Sequence, residues 1–73
     1  MTSVWESSYK NAVRLFENAK GYYNLNSKSR TLKQAWNAAF GLPTYFEGRD
    51  ELLAEIDRYA MQCGINLDEV TGY

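Results

Sequence analysis

The 73-residue chain contains no histidine and only one cysteine. Without histidine it cannot form a zinc site of the cysteine–histidine kind, and it lacks the commonest general acid–base side chain. Cys63 has no second cysteine to form an internal disulfide, and an unpaired thiol is typical of a reducing compartment. Because its neighbours in the sequence provide no base, we expect Cys63 to be a small buried apolar residue rather than a reactive thiol.

The chain also lacks the sequence features of a membrane protein, an exported protein or an enzyme. It has no apolar run of about 18 residues, which a membrane-spanning helix would need. Its first residues, MTSVWESS, have neither the basic start nor the apolar stretch of a signal peptide. It contains no glycine-rich phosphate loop and no nucleophile motif. We therefore expect a cytoplasmic, non-enzymatic protein with no cofactor, no metal, no small-molecule substrate and no membrane contact.

Aromatic residues are abundant, with two Trp, six Tyr and three Phe. Each buried aromatic side chain removes about 150–250 Å² from water. This matters in a short chain, because a domain of this size buries only roughly 60% of its unfolded surface. We predict that residues 1–73 form a single helical domain with one core. Self-association would enlarge such a small core, so we expect either a compact monomer or a homodimer.

Three segments have apolar residues at the spacing of an amphipathic helix. In the first, Ser3 and Glu6 have the spacing of a capping box, and Gly21 is expected to end the helix in the left-handed conformation. In the second, Ser29 is the expected N-cap and Gly41 the stop. The three predicted stripes are Trp5, Tyr9, Ala12, Val13, Phe16 and Ala19; Leu32, Ala35, Trp36, Ala39 and Phe40; and Leu52, Leu53, Ile56, Tyr59, Ala60 and Cys63.

The third helix carries acidic residues in its first turn, where the helix dipole favours negative charge, and Gly64 is expected to close it. Asn66 is expected to cap a short fourth helical turn. No segment alternates with period two for long enough to predict a strand. The fold prediction is therefore all-α, a small three-helix bundle with a short fourth turn near its C-terminal end.

The connection between the second and third helices reads PTYFEGR. Thr44 and Glu47 have capping-box spacing, but Gly48 follows directly. We expect a short turn that breaks at Gly48, with Tyr45 and Phe46 folded onto the core.

Charge is segregated along the chain, although the net charge is only −1. Residues 10–33 contain six basic residues and one acidic residue, whereas residues 44–73 contain two basic and seven acidic residues. Two interpretations follow. The halves attract each other, within a monomer or across a dimer, or the basic half faces an anionic partner.

The segment GYYNLNSKSR, residues 21–30, combines adjacent tyrosines with basic residues. Aromatic residues directly after a helix usually fold back onto it, so we expect at least one of Tyr22 and Tyr23 to pack. Alternatively, rings can stack on bases while Lys and Arg neutralise phosphates. Tyr and Arg are also among the residue types that dominate protein-binding hot spots.

Other residues suggest a second binding surface. Met61 and Ala54 point away from the third stripe, and Leu15 flanks the first. Glu51 and Glu55 share one face of the third helix, which we interpret as a solvated acidic face rather than a cation site. The predicted partner-binding residues are Tyr22, Tyr23, Lys28, Arg30, Lys33, Glu51, Glu55 and Met61.

The leading hypothesis is a protein that binds another protein, including itself as a homodimer. In its small size, many aromatics and acidic pI the chain resembles small accessory proteins of phages and plasmids, and this resemblance implies a protein that binds and inhibits a host protein. One alternative is a nucleic-acid-binding module that uses the basic segment 20–33. A helix-turn-helix fits poorly, because Asp50 and Glu51 would open its recognition helix. The other alternative is an acidic inhibitor, of the immunity or antitoxin kind, that covers a basic enzyme surface.

Overall fold

The computed structural model describes residues 4–69, which form three α-helices and one turn of 3-10 helix. Helix α1 is Val4–Lys20, α2 is Leu25–Phe40, α3 is Arg49–Gln62, and the 3-10 turn is Leu67–Glu69. Residues 4–69 contain no strand. The predicted all-α three-helix bundle with a short fourth turn is therefore confirmed, while the cap predicted at Ser3 lies outside the described residues.

Helices α1 and α2 form the most extensive contact in the bundle, and α3 packs mainly against α2. Alanines lie at the centre of both facing stripes, which lets the two backbones approach closely. Leu32 and Ile56 are the largest side chains that are fully buried, and burying an aliphatic side chain of this size stabilises the fold by about 1.5–3 kcal/mol. The buried cluster consists of Ala12, Phe16, Ala19, Leu32, Ala35, Ala39, Leu52, Ile56, Ala60 and Leu67.

The predicted stripes are correct at their centres and wrong at their ends. Trp5 and Phe40 are exposed rather than buried, and Cys63 is only half-buried. Phe40 stacks on the ring of Trp36 at the surface, with the ring centroids 4.8 Å apart. Leu15, expected on a second apolar surface, instead packs against the core.

Helix α2 begins earlier than predicted. Asn24, and not Ser29, is the N-cap, because its side-chain oxygen accepts hydrogen bonds from the backbone amides of Asn26 at 2.8 Å and Ser27 at 3.2 Å. Residues 25–28, which were predicted to precede α2, are therefore part of it. As a consequence, Lys28 and Arg30 project from the first turns of α2.

Glycine has a different role at each helix end. Gly64 closes α3 as predicted: it is left-handed, at φ +74°, and the amides of Gly64 and Ile65 donate to the carbonyls of Met61 and Ala60 in a Schellman motif. Gly21 does not have a positive φ, so its predicted left-handed conformation is wrong. There the chain leaves α1 by a tight right-handed turn in which the Gly21 amide donates to the carbonyl of Asn18.

The connection before α3 is a pair of tight turns that break at Gly48, which has φ +93°. Phe46 is half-buried and lies 5.4 Å from the ring of Tyr9, measured between centroids. Tyr45 is 82% exposed, so its predicted packing on the core is wrong. Adjacent side chains of a tight turn point in different directions, and here only Phe46 reaches α1.

Arg49 is the one charged side chain among residues 4–69 that is buried, with 8% exposure. Its guanidinium donates to the carbonyl of Phe40 at 3.2 Å and to the carboxylate of Asp50 at 2.8 Å. It also lies 5.2 Å from the centroid of the Phe40 ring. Arg49 thus joins the start of α3 to the end of α2, where carbonyls lack helical partners.

Candidate functional site

Three exposed side chains, those of Tyr22, Tyr23 and Leu25, mark the end of the bundle where α1 connects to α2. We call them the tyrosine end. Tyr23 reaches 102% of its reference exposure and Tyr22 is also exposed. The expectation that at least one ring would pack is therefore wrong.

The core side of this end is already occupied, which explains the exposure of both tyrosines. The ring of Phe16 packs edge-on against Tyr59, with centroids 5.8 Å apart. The ammonium of Lys20 lies 4.3 Å from the centroid of the Phe16 ring. The part of α1 onto which a following aromatic residue would fold is thus covered by α3 and by Lys20.

A first groove of about 340 Å³ lies beside the tyrosine end, between the start of α2 and the turn that follows α3. Leu25 belongs to both the tyrosine end and this groove. Arg30 is exposed in it and forms no ion pair or side-chain hydrogen bond with any residue of 4–69. The groove is lined by Leu25, Asn26, Ser29, Arg30, Gly64, Ile65, Asn66 and Glu69.

A second groove of about 230 Å³ lies on the other side of the same turn. Ile65 and Asn66 line both grooves, because the Schellman motif turns the chain at this point. Met61 projects from it with 78% exposure. The second groove is lined by Asp57, Ala60, Met61, Ile65, Asn66, Leu67 and Asp68.

The predicted basic residues differ in how far they are engaged within the chain. Lys28 donates a hydrogen bond of 2.9 Å to the hydroxyl oxygen of Tyr59. This hydrogen bond raises the pKa of Lys28 above its ordinary value, and the nearby Tyr59 and Cys63 add to the effect, while partial desolvation opposes it. The ammonium of Lys33 lies 5.4 Å from the ring centroid of Trp36. Arg30 is therefore the predicted cation that is most available to a partner.

The acidic residues beside Met61 are not the predicted ones. Glu51 and Glu55 are exposed on α3 but lie outside both grooves, and neither forms an ion pair with a residue of 4–69. Asp57 and Asp68 line the second groove instead. Asp57 lies four residues before Met61, on the same face of α3, so helical spacing alone could have identified it.

The described residues contain no group of three or more acidic or cysteine side chains placed to hold a metal ion. In the same range, no helix has the length and apolar character needed to cross a membrane. No protein-family model, no curated protein and no solved structure matches the chain. What the site can bind therefore follows from its own residues and contacts: exposed rings, an exposed aliphatic side chain and an unengaged guanidinium.

Proposed function

We propose that this is a cytoplasmic, non-enzymatic protein that binds another protein through the tyrosine end and the first groove. The full exposure of Tyr23 beside exposed Leu25 is the observation that carries the proposal. Clustered exposed apolar side chains mark interaction surfaces, and Tyr and Arg are enriched in binding hot spots. One role of this kind is that of a phage or plasmid accessory protein that binds a host protein and inhibits it.

The charges around this surface favour a protein partner. Lys20 and Lys28 lie against Phe16 and Tyr59, whereas Arg30 forms no ion pair, side-chain hydrogen bond or ring contact in the described chain. One available guanidinium suits a directed contact with a partner carboxylate, which it can bind through two hydrogen bonds. A groove of about 340 Å³ next to it can accept a partner side chain.

The test is a pull-down of the tagged protein from its source cells, followed by mass spectrometry. Tyr23→Ala removes the most exposed ring, and Tyr45→Ala is a matched control because Tyr45 is a similarly exposed tyrosine on a different connection. We expect Tyr23→Ala to lose a captured protein that both the wild type and Tyr45→Ala retain. Equal capture by all three, or no capture by any, would remove the support for this surface.

Nucleic-acid binding is the second candidate, and the exposure of both Tyr23 and Arg30, in one short segment of the chain, favours it. A single strand could stack a base on the ring while the guanidinium contacts a phosphate. Such binding would weaken steeply with added salt, and further with the loss of Arg30. A gel shift at low salt tests it, and the absence of any shift would end this candidate.

A further inference from the structure

The two grooves on either side of the Gly64–Asn66 turn are chemically complementary to each other. We infer that a second copy of this chain occupies them, so that the first groove of each copy faces the second groove of the other. This inference rests on the proposed function, because it names the partner of the same surface.

The positions of the grooves favour a twofold arrangement. Both grooves include Ile65 and Asn66, so the two grooves adjoin at these residues. A twofold axis close to these two residues would bring each first groove against the second groove of the other copy. Every contact is then made twice, which is the property of a closed, isologous dimer.

Charge complementarity supports a second copy as the occupant. Arg30 lines the first groove without an intramolecular partner among residues 4–69, and Asp57 and Asp68 line the second. Glu69 also lines the first groove but forms no ion pair with Arg30. Across the twofold axis, Arg30 of each copy would face the aspartates of the other. This favours pairing the first groove with the second over an arrangement that brings like charges together.

The apolar side chains follow the same pairing. Met61 projects from the second groove, Leu25 is exposed in the first, and exposed Tyr23 lies two residues before Leu25 in the chain. Met has a flexible, polarisable side chain that adapts to an irregular groove. In the inferred dimer, Met61 of one copy fills the first groove of the other, which removes both from water.

A stable dimer would cover only a modest part of the surface of this chain. A standard interface buries about 800 Å² on each partner, which is roughly one sixth of the 5062 Å² that this chain exposes. Tyr22, Tyr23, Leu25 and Met61, at or beside the grooves, are four of the eight exposed large apolar side chains in the described chain. Burying them would give this small bundle apolar contacts that its own core cannot provide.

Sedimentation of the wild type and of charge-reversed variants over a wide concentration range tests the inference. Arg30→Glu and Asp57→Lys should each raise the dimer dissociation constant about tenfold or more, because each places like charges face to face in both contacts. An equimolar mixture of the two variants should associate more tightly than either variant alone, because Glu at 30 then faces Lys at 57 in one contact and the wild-type pairing is kept in the other. Arg58→Glu is the matched control, since Arg58 is exposed on α3 but lies outside both grooves.

The outcomes separate this inference from the proposed function. A wild type that stays monomeric at every concentration overturns the dimer, whereas the proposed function survives if Tyr23→Ala still loses a captured protein. A wild-type dimer that neither reversal weakens, or a mixture that does not re-associate, overturns the groove pairing. Circular dichroism of each variant establishes that it is folded. Met61→Lys, which changes an exposed side chain, provides an independent variant that should weaken the dimer as well.

Discussion

Arg49 offers the sharpest test of how this fold is stabilised. Its contacts with Phe40 and with Asp50 lead to different expected effects of replacing Arg49 and of replacing Asp50. If the ion pair with Asp50 were the main contribution, replacing either partner would have a similar effect. If the contact with the end of α2 dominates, Arg49→Ala should be far more damaging than Asp50→Asn. The two contacts differ in exposure, and this difference decides between them.

The contact with Phe40 is the stronger one. A charge-assisted hydrogen bond to a backbone carbonyl contributes about 1.5–3 kcal/mol, and a cation over a partly exposed ring adds about 0.5–1 kcal/mol. A positive charge at a helix C-terminus adds about 0.3–1 kcal/mol. Against this, Nε of Arg49 is buried without a hydrogen-bond partner in the described chain. Removing Nε therefore relieves a desolvation cost of about 1 kcal/mol. Arg49→Ala should therefore reduce the free energy of unfolding by about 2 kcal/mol.

The contact with Asp50 should be weak although it is short, because 81% of the Asp50 side chain is exposed. Exposed ion pairs contribute about 0–1 kcal/mol, so Asp50→Asn should destabilise the fold by less than about 1 kcal/mol.

Thermal unfolding followed by circular dichroism, at one fixed protein concentration, measures both effects. For a domain of this size each kcal/mol lowers Tm by about 4–8 °C. We expect Arg49→Ala to lower Tm by about 8–16 °C and Asp50→Asn by much less. Equal losses in the two variants would refute the assignment to the end of α2 and leave the ion pair as the dominant contact.

Two further predictions concern the left-handed glycines and the lysine–tyrosine contact. Gly48→Ala should destabilise the fold by about 2 kcal/mol and Gly64→Ala by about 1 kcal/mol. The difference arises because a Cβ at Gly48 would lie 3.2 Å from the hydroxyl oxygen of Tyr9, whereas no atom lies within 4 Å of a Cβ at Gly64. Urea denaturation measures both losses of stability, and equal losses would show that crowding by Tyr9 has no effect. Tyr59→Phe should destabilise the fold because Lys28 loses its hydrogen-bond acceptor. The raised pKa of Lys28 means that its contribution is fully present below its ordinary pKa of 10.5 and is lost only as the pH rises through the folded-state value. The difference in unfolding free energy between wild type and Tyr59→Phe should thus be constant between about pH 6 and pH 9, and a difference that changes within that range would argue against a charged Lys28 as the donor.

The three helices could be predicted from the sequence because their apolar residues recur at helical spacing. The start of α2 could not be predicted. Asn24 and Ser29 are both good capping residues, and the sequence alone does not rank them. The choice depends on tertiary structure, since starting α2 at Leu25 brings Lys28 to Tyr59, 31 residues further along the chain. Such a contact has no signal in local spacing.

The candidate site was predicted in part. Its tyrosines were identified, but their exposure depends on Tyr59 reaching Phe16 from another helix, which no local pattern reveals. Asp57 could have been found from its helical spacing to Met61. Arg49 could not have been identified as a buried residue, because its position in the charged run RDE is typical of an exposed helix start.

The most direct test of the binding surface is the concentration dependence of backbone amide chemical shifts in ¹⁵N-labelled protein. Dilution should shift the amides of residues 22–30 and 61–68, which surround the two grooves, and leave those of residues 42–48, on the connection before α3, unchanged. Shifts that are independent of concentration throughout, or that change mainly in residues 42–48, would contradict binding of a second copy at the two grooves.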